Sequence, residues 1–263
     1  MRIGLAQIRA GVDIDRNLAA VDSACRSAAA QGAELILLPE YAMYDKPRVD
    51  ASFARIAQTL EGPFVTAVAE LARELGAVVV VGVVERRPAA APFNTLVALG
   101  ADGSLLARYR KNHLYDANGF TESAWISAPE APEAVTFHAG GVRVGLLACY
   151  DLRFPEQSRA LVDAGAELLA VCSAWVPGPE KVAQWQTLAR ARAIENTSYV
   201  AAVCQAAPLS IGTSMLVDPQ GRDVVVCGGG PETRVAEIET ERIASARERD
   251  RNIAVRRFAT RPR

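Results

Sequence analysis

Three reactive side chains in this 263-residue chain come directly after apolar segments. Glu40 ends the segment AELILLPE, Lys111 ends LLARYRK, and Cys149 ends GVRVGLLAC. Taken singly, a charge at such a place reads as a solvated strand end, and a cysteine reads as a small buried hydrophobe. Taken together, a carboxylate, an ammonium and a thiol predict nucleophilic attack by cysteine on a carbonyl carbon.

This chemistry gives each of the three groups a task. A cysteine thiol is only about a few per cent ionised at neutral pH, so it needs a neighbouring base or positive charge. A carboxylate can be that base when burial raises its pKa toward neutrality. A lysine beside the thiol stabilises the thiolate and then the oxyanion, and the backbone N–H of Tyr150 is a candidate second donor. Neither His113 nor His138 lies in a recognisable cysteine-protease context.

The elements that must position these residues alternate between strand and helix patterns. Period and β-branched content predict strands at residues 2–8, 33–40, 77–84, 142–148, 167–173, 198–204, 213–218, 222–227 and 234–238. Helical spacing predicts helices at residues 14–30, 52–75, from about 155, 181–195 and 240–249, followed by a basic, irregular tail to residue 263. Asp102 and Gly103 supply the turn of a predicted hairpin within residues 93–111.

An internal echo relates the two halves of the chain. RIGLAQI at 2–8 resembles RVGLLAC at 143–149, and GAELILLPE at 32–40 resembles GAELLAVCS at 165–173. Chance similarity between α/β segments is the alternative explanation. If the echo is real, two similar sheets pack face to face with helices outside. Strands alternating with helices predict a layered α/β architecture, and without a low-complexity linker we expect one domain over residues 1–263.

Composition narrows the classes of partner. Hydrophobic residues make up 50% of the chain and charged residues 22%, which is typical of a globular protein with a sizeable core. With 29 basic and 30 acidic residues, no long-range field favours nucleic acid or an anionic membrane. No apolar stretch is long enough to span a membrane, and the N-terminus does not resemble a signal peptide. A cytoplasmic location is the default expectation.

The spacing of the cysteines and glycines argues against a structural zinc ion and a bound nucleotide. No CxxC pair occurs, so a structural zinc site is not expected, and no GxGxxG or Walker-type loop supports nucleotide binding. The thiols other than Cys149 are predicted to be free core residues; they are Cys25, Cys172, Cys204 and Cys227.

Three segments together resemble the catalytic motifs of the nitrilase, or carbon–nitrogen hydrolase, superfamily. They are LPEY at 38–41, YRKNHLYD at 109–116 and ACYDLRFPE at 148–156, with Lys111 71 residues after Glu40 and Cys149 38 residues after Lys111. Segments 173–200 and 212–221 also resemble the superfamily, so the resemblance covers essentially the whole chain. It implies a four-layer α-β-β-α sandwich, usually dimerised, that acts on small-molecule substrates without a metal or organic cofactor.

The resemblance also implies roles for particular residues. Glu40 corresponds to the general base, Lys111 to the oxyanion stabiliser and Cys149 to the nucleophile. Glu122, in GFTES, occupies the place of a second glutamate, with an exposed loop carboxylate as the alternative. Trp175 is either a pocket wall or a core residue.

Two further positions are not expected to be catalytic or do not match the family pattern. His113 matches a position that is usually structural, so we do not expect it to be catalytic. Gln184 departs from the family pattern, because relatives have histidine before the tryptophan at this place.

The substrate class follows from the segment CYDLRFPE, which is most similar to the branch of ω-amidases and deaminated-glutathione amidases. In that branch the arginine after the nucleophile is thought to hold a substrate carboxylate; here it is Arg153, with an ion pair to Glu156 as the alternative. We therefore expect hydrolysis of a small, carboxylate-bearing amide through a cysteine thioester, with release of ammonia, by a homodimer or higher homo-oligomer. The alternatives are an N-carbamoyl-amine or amino-acid hydrolase, a nitrilase, and a catalytically silent dimeric binding module.

Overall fold

The computed structural model describes residues 1–261, which form two six-stranded mixed sheets covered by helices. Residues 262 and 263 of the predicted domain and tail lie outside the described part. The strands are β1 Arg2–Gln7, β2 Leu35–Leu37, β3 Val78–Glu85, β4 Phe93–Leu99, β5 Leu105–Arg110, β6 Thr136–Ala139, β7 Val142–Ala148, β8 Leu168–Ser173, β9 Tyr199–Cys204, β10 Met215–Val217, β11 Asp223–Val226 and β12 Glu232–Glu237. The α-helices are α1 Ile14–Ala30, α2 Ser52–Ile56, α3 Pro63–Leu75, α4 Pro155–Asp163, α5 Lys181–Asn196 and α6 Thr240–Arg249. Two short 3-10 helices span Glu122–Ala124 and Cys149–Arg153.

The two sheets have the same topology. The first has the order β12-β1-β2-β3-β4-β5, with β1, β2 and β3 parallel and the other neighbours antiparallel. The second has the order β11-β10-β9-β8-β7-β6, with β7, β8 and β9 parallel. Thus β1 and β2 correspond to β7 and β8, the strands that contain the echoed segments. The internal echo in the sequence is a repeat of topology.

Three hydrophobic layers hold the sheets and helices together. The inner layer joins residues of both sheets, such as Leu5 and Leu146. One outer layer joins the first sheet to α1 and α3, and the other joins the second sheet to α4 and α5. This is the predicted four-layer α-β-β-α sandwich.

Helix α1 illustrates why the outer layers form where they do. Its buried residues Val21, Ala24, Cys25 and Ala28 recur at intervals of three and four, so they lie on one face of the helix. The side chain of Asp13 caps the helix by accepting hydrogen bonds from two backbone N–H groups of the first turn. The prediction for this helix is confirmed to the residue.

Three details of the structure differ from the sequence-based elements. The predicted helix 52–75 is two helices, because Pro63 lacks an N–H and is tolerated only in the first turn, where it begins α3. The short edge strand β6 was not predicted. Strand β2 is only three residues long, so Glu40 lies in the turn beyond it. Among residues 1–261, no helix is both long and apolar enough to cross a membrane.

Candidate active site

Four of the residues singled out in the sequence line one pocket of about 210 Å³. Glu40 lies in the turn after β2, Lys111 follows β5, and Cys149 follows β7; Glu122 begins a 3-10 helix. Glu40 and Lys111 come from the first sheet, and Cys149 comes from the second. The pocket therefore lies where strand ends of both sheets meet.

Lys111 is buried between two carboxylates. Its Nζ donates to Glu40 Oε1 and to Glu122 Oε2, both at 2.8 Å. Burial disfavours the ammonium, but the negative charges of Glu122 and Glu40 outweigh burial and hold the pKa of Lys111 well above its ordinary value. The side chain is thus a fixed cation. An ammonium has three donors, so one remains for a group in the pocket.

Glu122 is fully engaged in holding the site together. Its Oε1 accepts from the Tyr41 hydroxyl at 2.7 Å and from Asn94 Nδ2 at 3.1 Å. Its Oε2 accepts from Lys111 and from the Tyr115 backbone N–H at 2.7 Å. Burial opposes ionisation, but Lys111 and the other donors hold the pKa of Glu122 below its usual value. Glu122 is buried, so the alternative of an exposed loop carboxylate is wrong.

Glu40 retains a free acceptor site. Its Oε1 accepts from Asn94 Nδ2 at 2.7 Å and from Lys111, whereas its Oε2 accepts only the Ala174 backbone N–H at 2.8 Å. The Nε2 of Gln205, from the second sheet, donates to the Glu40 backbone carbonyl at 3.1 Å. Glu40 is therefore fixed on both sheets and still has room at Oε2 to accept a proton.

Cys149 is the first residue of a 3-10 helix and has a φ of +45°. A non-glycine residue with positive φ is uncommon, and strained conformations of this kind concentrate at functional sites. Burial and the Glu40 carboxylate raise the pKa of the Cys149 thiol well above its ordinary value, against the opposing charge of Lys111. The resting thiol is therefore protonated. The N–H of Tyr150 lies in the first turn, where backbone donors lack partners within the helix.

The other four cysteines are buried and unpaired, as expected of core thiols. Burial is the largest cause of the raised pKa of each, which reaches about 12 for Cys25 and Cys204 and about 11 for Cys227. Unlike Cys149, none of them lines the pocket. The chain therefore presents a single pocket-facing thiol among the described residues.

A buried aspartate connects the lysine loop to the cysteine turn. Asp151 is fully buried and accepts from the Tyr109 hydroxyl at 2.5 Å and from the backbone N–H of His113 at 3.1 Å. His113 Nδ1 lies 2.7 Å from Asp151 Oδ1. Tyr109 and His113 flank Lys111 in sequence, and Asp151 follows Cys149 by two residues. The hydrogen bonds of Tyr109 and His113 to Asp151 thus hold the lysine loop against the cysteine turn, which gives His113 a structural role.

Arg153 and Trp175 line a smaller recess that also reaches Cys149 and Tyr150. The guanidinium lies 5.0 Å from the centre of the Trp175 ring and donates to Gln184 Oε1 at 2.5 Å. Arg153 forms no ion pair with any carboxylate in residues 1–261, so the alternative of a pair with Glu156 is wrong. Trp175 is both pocket wall and core, since it is 4% exposed.

Gln184 acquires a function from this geometry. Its side-chain oxygen accepts a hydrogen bond from Arg153 and holds the guanidinium beside the recess. Lys181, one turn earlier on α5, adds a second cation, with Nζ donating to the Tyr115 hydroxyl at 3.0 Å.

Sequence reasoning missed Asn94, which hydrogen-bonds to Glu40, Glu122 and Lys111. Its Nδ2 donates to both glutamates, and its backbone carbonyl accepts from the Lys111 N–H at 2.9 Å. The available signal was a polar amide inside the apolar strand FNTLVALG, because a buried amide needs hydrogen-bond partners. Tyr41 was also missed, although it directly follows Glu40. Within residues 1–261 no three His, Cys, Asp or Glu side chains group as metal ligands would.

Comparison with known proteins gives the same classification throughout. The profile of the carbon-nitrogen hydrolase family matches residues 2–248. A Mycobacterium tuberculosis protein named as a hydrolase is 40% identical over 99% of this chain and 96% of its own. The deaminated glutathione amidase of Escherichia coli O157:H7 is 38% identical over 89% and 90% of the two chains. The mouse omega-amidase NIT2 is 31% identical over 94% and 91%.

Solved structures agree with the fold. Saccharomyces cerevisiae Nit3, described as a member of the nitrilase superfamily, superposes with a TM-score of 0.87 at 27% identity, over 98% of this chain and 97% of the other. An amidase from Nesterenkonia sp. AN1 has a TM-score of 0.82 at 28% identity, over 95% and 97%. In that structure acrylamide has added to the active-site cysteine of the amidase.

Proposed function

Since the chain belongs to the carbon–nitrogen hydrolase family and is a hydrolase acting on amides, we propose that it cleaves a small, carboxylate-bearing amide through a thioester on Cys149. The observation that carries the proposal is one pocket lined by a protonated thiol, a carboxylate with a free acceptor site on Oε2 and a fixed ammonium. The names of the two amidase relatives support the reaction type. The active-site cysteine of the Nesterenkonia amidase supports the nucleophile.

The first half of the reaction forms the thioester. The sulfur of Cys149 attacks the amide carbon while Glu40 Oε2 takes the thiol proton. The remaining N–H of Lys111 and the backbone N–H of Tyr150 donate to the oxyanion. Glu40 then gives its proton to the nitrogen, the C–N bond breaks, and ammonia leaves.

The second half releases the acid. Glu40, again a carboxylate, takes a proton from water, and the resulting hydroxide attacks the thioester carbon. The C–S bond breaks, the sulfur recovers the proton from Glu40, and the carboxylic acid leaves. No step needs a metal or an organic cofactor, because the proton and the acyl group move only between these side chains, substrate and water.

The hydrogen bonds favour Glu40 over Glu122 as the proton carrier. Each carboxylate has about four acceptor sites. Glu122 uses all of them on Tyr41, Asn94, Lys111 and Tyr115, whereas Glu40 Oε2 has one donor only. We therefore assign Glu122 the task of orienting Lys111.

Arg153 supports a substrate with a carboxylate distal to its amide. The guanidinium has no carboxylate partner in the described part of the chain and lines the recess next to Cys149. Stacking on Trp175 and the bond to Gln184 orient it without neutralising it. A planar guanidinium binds a carboxylate by two parallel hydrogen bonds.

The experiment compares Arg153→Ala with the parent on one 2-oxo acid ω-amide and one neutral amide of similar size, with ammonia release as the readout. Loss of a charge partner in a partly desolvated recess costs roughly 2–5 kcal/mol of binding, so the KM for the acidic amide should rise at least about 30-fold. The KM for the neutral amide should change little. As the matched control, Arg16→Ala removes an exposed arginine of α1 and should change neither value.

Two results would overturn the proposed substrate class. Equal losses on both amides would make Arg153 a structural residue. Preference of the parent enzyme for a neutral amide, a cationic amide, an N-carbamoyl compound or a nitrile would remove the carboxylate from the substrate.

We also propose that the protein is a homodimer. Support comes from apolar side chains exposed at the end of α5 and in the C-terminal segment: Ile194 is 49% exposed, Val255 64% and Phe258 92%. Asn252 donates to the backbone carbonyls of residues 194 and 195, which keeps the segment against the helix. Sedimentation velocity should give a mass near twice 28.1 kDa. A monomer at all concentrations would refute the dimer.

A further inference from the structure

The pocket contains a carboxyl group that the proposed mechanism does not use. Asp45 follows Glu40 by five residues, lines the same pocket, and is 5% exposed. Its Oδ1 accepts from the backbone N–H of Lys46 at 2.8 Å. The second oxygen has no hydrogen-bond partner among residues 1–261. The Lys46 ammonium lies on Asp50 at 2.5 Å and forms no ion pair with Asp45.

The charged surroundings do not offer Asp45 a counter-ion of its own. The neighbouring loop after β1, whose Gly11 carbonyl accepts from the Asp45 N–H, has only the exposed charges Arg9 and Asp13. The titratable and charged groups that share the pocket with Asp45 are Glu40, Tyr41, Lys46, Arg48, Lys111, Tyr115, Glu122 and Cys149. Lys111 is taken by Glu40 and Glu122, and Arg48 donates to the Gly119 carbonyl and lies over Phe120.

A buried carboxyl without a cation, close to another carboxylate, favours its neutral form. Ionisation would cost desolvation of the charge and repulsion from Glu40. Burial is the larger effect and the charge of Glu40 the smaller, and together they raise the pKa of Asp45 to about 8. At neutral pH the group therefore holds a proton. A protonated carboxyl has an O–H to donate.

We propose that Asp45 is a specificity-determining residue, whose protonated carboxyl donates a hydrogen bond to a carbonyl or carboxylate oxygen of the substrate. This rests on the proposed function for the identity of the ligand as a substrate. Asp45 lines only the larger recess and Arg153 only the smaller, and both recesses reach Cys149. The two residues therefore lie in different recesses on either side of Cys149.

Alkaline pH should reverse the effect of Asp45. Once the proton is lost, the residue becomes a second negative charge beside Glu40 in the same pocket. Ionised Asp45 would then repel an anionic ligand group that its protonated form had bound at neutral pH. Asp45→Asn keeps a donor of the same shape and cannot ionise.

A labelling experiment tests this without requiring turnover. Iodoacetate and iodoacetamide both alkylate a thiolate, but only iodoacetate is charged, so the ratio of their rates at Cys149 reports the local charge and cancels thiol ionisation. For the parent protein we expect the ratio to fall by about threefold or more between pH 7 and pH 9, as expected for one new charge in a partly buried pocket. For Asp45→Asn the ratio should stay level. Asp15, an exposed residue of α1, provides the control, because Asp15→Asn makes the same side-chain substitution outside the pocket and should behave as the parent.

Two outcomes would overturn the assignment. One is a constant ratio in the parent; the other is an equal fall in Asp45→Asn. The second readout is KM against pH for the acidic amide, which should rise above pH 8 in the parent and stay level in Asp45→Asn. An enzyme that hydrolyses no amide, but shows the labelling difference, would refute the proposed substrate and leave the proton on Asp45 supported.

Discussion

Two of the three protons on the Lys111 ammonium are committed to carboxylates, which leaves one for a substrate oxygen. This geometry makes the lysine a fixed donor, so the proposed oxyanion would form beside a donor that needs no reorganisation. Preorganised donors of this kind are the largest single contribution in many hydrolytic sites. Burial and the Glu40 carboxylate raise the pKa of the Cys149 thiol beside it, so in the proposed mechanism the thiolate forms only as Glu40 takes the proton.

Replacement of Lys111 tests this arrangement. Lys111→Ala should lower kcat for amide hydrolysis by at least about 10²–10³, the usual cost of one lost oxyanion donor. It should also lower the free energy of unfolding by about 3–5 kcal/mol, because Glu40 and Glu122 lose their buried cation. Steady-state kinetics gives kcat, and denaturant unfolding followed by circular dichroism gives the free energy of unfolding. A folded variant with near-parental kcat would remove the lysine from the mechanism.

The residue roles divide into those that a sequence can indicate and those that it cannot. The placement of Glu40, Lys111 and Cys149 in one pocket was predictable because each ends an apolar segment and belongs to a motif, and their roles remain predictions. Asn94 was not, because its role depends on Glu40 and Glu122, which lie 54 and 28 residues away in the chain. The protonation of Asp45 likewise depends on burial in the folded state, and its local sequence gives no sign of it.

Among the elements, β3 determines where Glu40 can lie. The turn after β2 passes directly over Gly82. A Cβ atom at residue 82 would come within 2.6 Å of the Glu40 Cα, the Pro39 carbonyl oxygen and the Tyr41 nitrogen. All three are backbone atoms, so a side chain at this position could be accommodated only by moving the turn.

Gly82→Ala should therefore impair both stability and activity. Overpacking typically costs about 1–3 kcal/mol, and here the displaced segment contains Glu40, the proposed general base. We expect a lower melting temperature and a loss of kcat larger than any change in KM. The exposed Gly230 has open space around its Cβ position and provides the control, since Gly230→Ala should leave both unchanged. Parental kcat in Gly82→Ala would show that the turn does not need this close approach.

The predictable elements were those with a regular spacing of apolar residues or a clear capping or turn residue. Helix α1 has an apolar face and a capping aspartate, and the hairpin of β4 and β5 has an Asp-Gly turn. The break before Pro63 was missed because apolar spacing continues on both sides of it. Strand β6 was missed because it has only four residues, and pairing with β7 supplies what its own sequence lacks.

At the scale of the whole molecule, the pocket lies between two topologically equivalent halves. Glu40 is held by Lys111 and Asn94 from its own half and by the N–H of Ala174 and the side chain of Gln205 from the other. Neither half alone contains the complete site. The echo in the sequence indicated a repeat, but the order of strands in each sheet depends on long-range pairing that local patterns do not encode.

Protonated Asp45 has a consequence for the stability of the entire fold. Its pKa is 3.8 ordinarily and about 8 in the folded protein, so between these values only the folded state keeps the proton. The parent should therefore lose stability as pH rises from about 4 to 8, by at most about 1.4 kcal/mol per pH unit, and this group should add no further loss above pH 8. The stability gained in Asp45→Asn should grow over the same window. Denaturant unfolding at several pH values measures it, and a gain independent of pH would contradict the protonated form.

The central claim is that the acyl group of the substrate passes through the sulfur of Cys149. Acid quenching during turnover, followed by peptide mass spectrometry, tests it directly, with Cys149→Ala as the matched variant. We predict an added acyl mass on the peptide containing Cys149 and on no other cysteine peptide, together with no ammonia release by Cys149→Ala. Ammonia release by Cys149→Ala at near the parental rate, or an acyl group on a different residue, would contradict the account.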